Sequence, residues 1–283
     1  MALDERFVAV GTKKVHVVEM RPDAPLRPPT EALAPSAHDM PSAGAQALVM
    51  LHGLFSNLSL YFFRIAPSLA HTYRVVIYDL RSHGLSERAS GAHTLEVLSE
   101  DLLALMDALE IEKAALAGHS YGGTVALLTA LQHPEKVSQL ALIDAPCLTE
   151  PRFAAARLRQ RLSHGRVTDR SVARYASAAG LSAQARRSPK SQEQIRYLLT
   201  EGRLEASFSA GRTTMQSLDL GRLAMPTLLL YGTRSPFRAT GRRLKAAIPC
   251  SVLELVEGGH DFPVKSAPQL TEHLACFLAG TGI

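Results

Sequence analysis

The chain has 283 residues, 46% hydrophobic and 20% charged, which is ordinary globular usage and enough apolar material for one large α/β domain. No run approaches the roughly 20 apolar residues of a membrane span, and MALDERF puts acids where a signal peptide carries bases, so a soluble cytoplasmic protein is expected. Its net charge of +5 and 6% aromatic content, with no nucleic-acid motif, argue against nucleic-acid binding, and the scattered Cys147, Cys250 and Cys276 form neither a disulfide framework nor a metal-ligand spacing.

In chain order, FVAV and VHVVEM flank the turn GTKK, so residues 7–20 predict a β-hairpin. Residues 21–46 follow, with six prolines between positions 22 and 41. Proline fixes φ and removes a donor, so this stretch predicts an extended surface loop. From residue 47 short Val-, Leu- and Ile-rich runs recur: ALVMLHG, RVVIYDL, KAALAGHS and VSQLALIDA. Strands buried on both faces of a parallel sheet read this way. Between them Leu95, Leu98, Leu102, Leu105 and Leu109 fall on one helical face behind Thr94 as a cap, and residues 121–132 predict a second helix.

Residues 149–222 break the alternation. They hold fourteen Lys/Arg against six Asp/Glu and no strand signal, which predicts a basic helical cap inserted in a core of residues 1–148 and 223–283. PTLLLYGT and SVLELVEGG then resume the strands. SAPQ offers Ser266 as N-cap and Gln269 at the capping-box position of a last helix carrying Leu270, Leu274 and Leu278. The expected fold class is α/β, a mostly parallel doubly wound sheet with right-handed crossovers.

LAGHSYGGTVALL contains Gly118-x-Ser120-x-Gly122 between a strand and a helix, the context of a nucleophile elbow. A sharp strained turn there lifts a serine hydroxyl clear of the sheet. Side chains at the flanking glycines would collide. The N–H of the next residue, Tyr121, then lies where an oxyanion would develop, at a helix N-terminus.

With these residues in view the chain resembles the α/β-hydrolase family. MLHGLFSN (50–57) looks like its oxyanion segment, and YDLRSHGLSE (78–87) like the segment after its next strand. AGHSYGG is similar to its elbow and EGGHDF (257–262) to the loop of its catalytic histidine. The resemblance covers roughly residues 45–148 and 223–280. It implies Ser120 as nucleophile, His260 as general base, and an oxyanion hole from the backbone N–H groups of Leu54 and Tyr121. It gives His52 and His83 a role in loop architecture and packs His119 against neighbouring strands. Asp79 and Arg81 are expected to pair with one another after their strand.

The resemblance puts the third triad member three residues after Gly232, where this chain has Ser235. A serine carries no charge to stabilise an imidazolium. Asp144 offers a carboxylate at the end of LALIDAP, on the sheet edge where ligands bind, and some family members place the acid after that strand. Asp144 is therefore the expected acid, with Asp261, Glu257 and a Ser–His dyad helped by Ser235 as alternatives. Ser235 also stands with Phe55 and Phe237 among the expected substrate contacts, and Phe62 and Phe63 are either pocket lining or core.

A serine elbow implies acyl transfer through an acyl-enzyme, with water as acceptor. No nucleotide, flavin or metal motif is visible, so no cofactor is expected. The basic segment suggests a small-molecule ester, an acyl thioester, or an acyl chain on an acidic carrier. A carboxylic ester hydrolase is the first reading. A thioesterase or cyclase, a C–C bond hydrolase on a polyketide-like intermediate, and a non-catalytic ligand-binding relative are the alternatives.

Overall fold

The computed structural model describes residues 1–22, 45–91, 93–147, 167–170, 172–173, 188–202, 207, 214, 216 and 218–280. The proline-rich stretch and most of the expected cap therefore lie outside the described residues.

Strands β1 (Ala2–Val10) and β2 (Lys13–Arg21) form the hairpin, longer at both ends than the sequence pattern indicates. The two-residue link between them turns at Gly11, which takes a positive φ of 56°, a conformation glycine adopts without steric cost. β2 is buried along most of its length because it also pairs with β4 (Arg74–Tyr78), antiparallel. The remaining strands are all parallel: β3 (Ala47–Leu51), β5 (Ala114–His119), β6 (Val137–Ile143), β7 (Thr227–Gly232) and β8 (Ser251–Val256). They make one eight-stranded sheet in the order β1-β2-β4-β3-β5-β6-β7-β8.

Alternation along each central strand feeds two cores, one on each face. Val49, Leu51, Leu229 and Tyr231 point to one side, under α3 (Leu95–Ala108), α4 (Tyr121–Gln132) and α6 (Arg238–Ala247). Leu48, Met50, Leu228 and Leu230 point to the other. That face is covered by α1 (Ser59–Phe62), α2 (Ala66–Leu69), α7 (Phe262–Lys265) and α8 (Ala267–Leu278). Two-sided cover is why the central strands read as unbroken apolar runs. All five leucines of the α3 stripe are buried, and the Thr94 hydroxyl accepts the Val97 N–H at 3.3 Å as expected of an N-cap.

The start of α8 differs from expectation. Ser266 makes no side-chain cap bond and instead donates to the Glu257 carbonyl at 3.3 Å. The short helix α7 runs straight into α8, and the Ser266 N–H already bonds the Phe262 carbonyl at 2.7 Å, so the capping box has no free entry turn to close. One further helix, α5 (Pro189–Thr200), falls in the expected cap. It seats Ile195 and Leu198 against Phe55 and Val172, and Arg88 pairs with its Glu193 at 2.7 Å. No helix among the described residues is long and apolar enough to cross a membrane.

Glu19 on β2 is 1% exposed and receives hydrogen bonds from Arg6, Arg21 and Arg74. Burial pushes its carboxyl up, but the guanidinium groups more than offset this and hold it at about 2. A carboxyl depressed on folding stabilises the fold above its unfolded value near 4.3, and that stabilisation is lost as pH falls through about 2. Glu19→Gln is expected to cost about 3 kcal/mol at pH 7 and to flatten the pH dependence of stability between pH 4 and 2. Urea unfolding at several pH values measures both.

Candidate active site

Four chain segments converge at the carboxyl ends of the parallel strands, the edge where open α/β sheets place their ligands. The first is the elbow. Ser120 follows β5 directly with φ 53° and ψ −124°, a strained backbone of the kind that persists where the surroundings impose it. A Cβ on Gly118 would lie 2.5 Å from the Gly122 carbonyl oxygen, and one on Gly122 would lie 2.4 Å from the His52 carbonyl oxygen. The glycines are thus required by the close approach of backbone to backbone, as the sequence pattern implies.

The second segment leaves β6. The Asp144 N–H is held by the Leu230 carbonyl of β7 at 2.7 Å, and its φ is 48°. That turn aims the carboxylate across the end of β7. The third segment leaves β7 at Gly232, whose N–H donates to Asp144 Oδ1 at 3.0 Å. The fourth leaves β8 and carries His260.

The side chains form a continuous hydrogen-bonded line. His260 Nδ1 lies 2.6 Å from Asp144 Oδ2, and His260 Nε2 lies 3.0 Å from Ser120 Oγ. With a fully buried carboxylate at Nδ1, the proton belongs there, so Nε2 is the acceptor for the serine hydroxyl. Ser235 Oγ donates to the same Asp144 Oδ2 at 2.5 Å.

Ser235 therefore sits buried against the carboxylate. Its hydroxyl is engaged by Asp144 and by the Phe237 N–H at 2.9 Å. The other candidate acids turn elsewhere. Asp261 pairs with Lys265 at 2.7 Å, and Glu257 binds Thr233 and Arg234 on the surface.

Phe237 meets the His260 ring edge-on with centroids 4.9 Å apart. Phe55, at φ 63°, lies with α5 in a small apolar cluster that Leu54 also touches. Phe62 packs on the α2 and α8 face, while Phe63 is 75% exposed, so neither joins this cluster. The Leu54 segment reaches the elbow because Gly53 has no side chain. A Cβ there would meet the Ser120 Cβ at 3.0 Å.

Three histidines around the line are architectural. His52 accepts the Leu80 N–H on Nε2 at 3.0 Å and donates from Nδ1 to the Gly53 carbonyl at 2.8 Å. His83 accepts the Phe55 N–H at 3.3 Å and donates to the Arg81 carbonyl at 2.8 Å. Together they tie the loop after β3 to the loop after β4. His119 donates from Nε2 to the His260 carbonyl at 3.1 Å and lies against that ring, centroids 4.8 Å apart. Burial depresses all three, His83 to about 3, and proximity to other imidazoles depresses His83 and His119 further.

The expected Asp79–Arg81 pair does not form. Asp79 turns back to His16 Nδ1 on β2 and to the Leu58 and Leu85 N–H groups, each at 2.8 Å. Arg81 faces the other way and chelates Asp101 on α3. Both residues lie beyond β4, which ends at Tyr78, where strand alternation no longer keeps residues two apart on one face, and each finds a partner on a different element. His16 escaped the sequence reading because nothing in VHVVEM marks its partner 63 residues away. Among the described residues there is no group of three or more His, Cys, Asp or Glu side chains placed to hold a metal.

A profile described as alpha/beta hydrolase fold matches residues 46–206. The chain is 31% identical over 248 residues to the dihydrolipoyllysine-residue acetyltransferase component of an acetoin cleaving system from Pseudomonas putida, covering 83% of this chain and 64% of that protein. The chain thus spans just under two thirds of that relative. It is 28% identical to 3-oxoadipate enol-lactonase 2 of Acinetobacter baylyi, covering 82% and 87% of the two chains. Among solved structures, the enol-lactonase from Burkholderia xenovorans superposes with a TM-score of 0.68 at 22% identity, over 97% of this chain and 100% of that one. At that identity the likeness is one of fold.

Proposed function

The chain belongs to the α/β-hydrolase family, and from that membership we propose that it is a serine hydrolase acting on carboxylic esters, with Ser120 as nucleophile, His260 as base and Asp144 as acid. The observation that carries the reading is the line Ser120 Oγ–His260 Nε2, 3.0 Å, and His260 Nδ1–Asp144 Oδ2, 2.6 Å. Its members are within hydrogen-bond reach in the order the chemistry requires.

In this reading His260 takes the Ser120 proton as the hydroxyl oxygen attacks the ester carbonyl. The buried Asp144 carboxylate stabilises the imidazolium that forms. The Leu54 and Tyr121 N–H groups receive the oxyanion, with Tyr121 opening α4 so that the helix dipole adds to the same field. The imidazolium then protonates the leaving alkoxide, an acyl group stays on Ser120, and water activated by His260 releases it. Phe237 and the cluster around Phe55 supply apolar contacts, and α5 with its neighbours acts as a cap.

Similarity to an enol-lactonase supports an ester, including a cyclic one, as the first substrate class. Acyl thioesters and an acidic carrier remain the alternative suggested by the basic segment. A fluorophosphonate probe is expected to label the wild-type protein rapidly on Ser120, and His260→Ala is expected to slow labelling at least a hundredfold. Turnover of lactones and p-nitrophenyl esters, compared with acyl-CoA thioesters, then orders the substrate classes. A wild-type protein that resists the probe would instead fit a ligand-binding relative.

A further inference from the structure

We propose that Ser235 is the positioning residue of the acid: its hydroxyl fixes the Asp144 carboxylate and tunes the base through it. This rests on the serine-hydrolase reading above for its effect on rate, although the hydrogen bonds themselves do not.

The geometry is specific. Asp144 Oδ2 accepts two hydrogen bonds, from Ser235 Oγ at 2.5 Å and from His260 Nδ1 at 2.6 Å, while Oδ1 accepts the Gly232 N–H at 3.0 Å. The Asp144 side chain is fully buried and Ser235 is 8% exposed, so water does not compete freely for these positions. The Ser235 hydroxyl is itself oriented. Its oxygen accepts the Phe237 N–H at 2.9 Å, which leaves its proton for the carboxylate. Phe237, the next element of the same turn, lies edge-on against the His260 ring. One short turn after β7 therefore grips the acid by a hydroxyl and the base by a ring.

The physical consequence runs through charge. A carboxylate oxygen that receives an extra donor spreads part of its charge onto that donor and supports the neighbouring imidazolium less strongly. The donor also prevents the carboxylate from rotating out of line with Nδ1. Removing it should loosen the alignment, which lowers kcat, and should favour the charged imidazolium. The acid limb of the pH profile then moves upward. The titratable groups facing His260 are Asp144 from the end of β6 and His119 from the end of β5, because Asp261 turns to Lys265. A change at position 235 leaves these groups in place and removes only the hydroxyl that donates to Asp144.

The test compares wild type, Ser235→Ala, Ser235→Cys and Ser235→Thr in the full chain. Two readouts are used: the pH dependence of fluorophosphonate labelling and of ester turnover, and the low-field proton resonance of the His260 Nδ1–H. For Ser235→Ala the expected results are a fall in kcat of about tenfold, an acid limb raised by about half a pH unit or more, and a displaced resonance. Ser235→Thr keeps the donor and should stay within about twofold of wild type. Ser235→Cys keeps a side chain in the space with a weaker donor, and its intermediate values substitute for Ser235→Ala if that variant does not fold. An unmoved acid limb with an unmoved resonance overturns the proposal. If the wild type resists the probe while the resonance still shifts in the alanine or cysteine variant, the positioning role stands and the serine-hydrolase reading falls.

Discussion

Asp144→Asn is expected to lower kcat by about four orders of magnitude while leaving the fold intact. The size of the effect follows from which way the new amide must face. The Gly232 N–H points at the Oδ1 position, 3.0 Å away, and only the amide oxygen can receive it. The amide NH2 is then forced onto the Oδ2 position, opposite His260 Nδ1 and Ser235 Oγ. A donor facing Nδ1 drives the imidazole proton to Nε2, the nitrogen that has to accept the Ser120 proton. The base is thus present but protonated on the wrong side. Folding should survive because Asn tolerates the positive φ of 48° that Asp144 adopts, whereas most residues do not. Near-normal turnover with an unchanged melting temperature would remove Asp144 from the triad.

The turn at Ser120 was legible in the sequence because its geometry leaves few alternatives. A Cβ on Gly118 or Gly122 would lie 2.5 Å or 2.4 Å from neighbouring backbone oxygens, so the glycines had to appear around Ser120 in the letters themselves. The sheet was legible for a similar reason, since strands covered on both faces must be apolar throughout. The carboxylate beside His260 was harder to read. Its identity depends on a single backbone turn at Asp144 and on the lateral pairing of β6 with β7, neither of which local pattern encodes. The same limit explains Ser235. From sequence it was a missing acid or a substrate contact, and only the convergence of two strand ends shows it bonded to the carboxylate. Asp79 and Arg81 fail as a pair for the converse reason. They are near in sequence, but the strand end sends them apart, toward His16 and toward Asp101.

Acid is expected to destabilise the protein well before its carboxylates are all neutralised, and the cause lies in its buried histidines. His52 and His83 each use Nε2 to accept a backbone N–H, from Leu80 and Phe55. A second ring proton would set N–H against N–H in a buried site. His93, also buried, is depressed by the same loss of solvent. In the folded state His83 stays neutral down to about pH 3, whereas in the unfolded chain it takes up a proton near pH 6.5. The unfolded state thus binds more protons throughout that interval, so stability is complete above about pH 6.5 and declines as pH falls, until the folded value is reached. For His83 the loss at pH 5 is about 2 kcal/mol. His52, His93 and His119 are depressed by burial in the same direction and add to that loss. Urea midpoints followed by circular dichroism should therefore drop steeply between pH 6.5 and 5, above the interval in which Glu19 acts. His83→Gln supplies an amide oxygen or nitrogen with no proton to gain, so its curve should be shallower by about one proton's slope over that range. A wild-type curve that is flat from pH 7 to 5 would mean these imidazoles find room for the charge. The bonds from Leu80 and Phe55 would then not be what holds the loop after β3 in place beside Ser120.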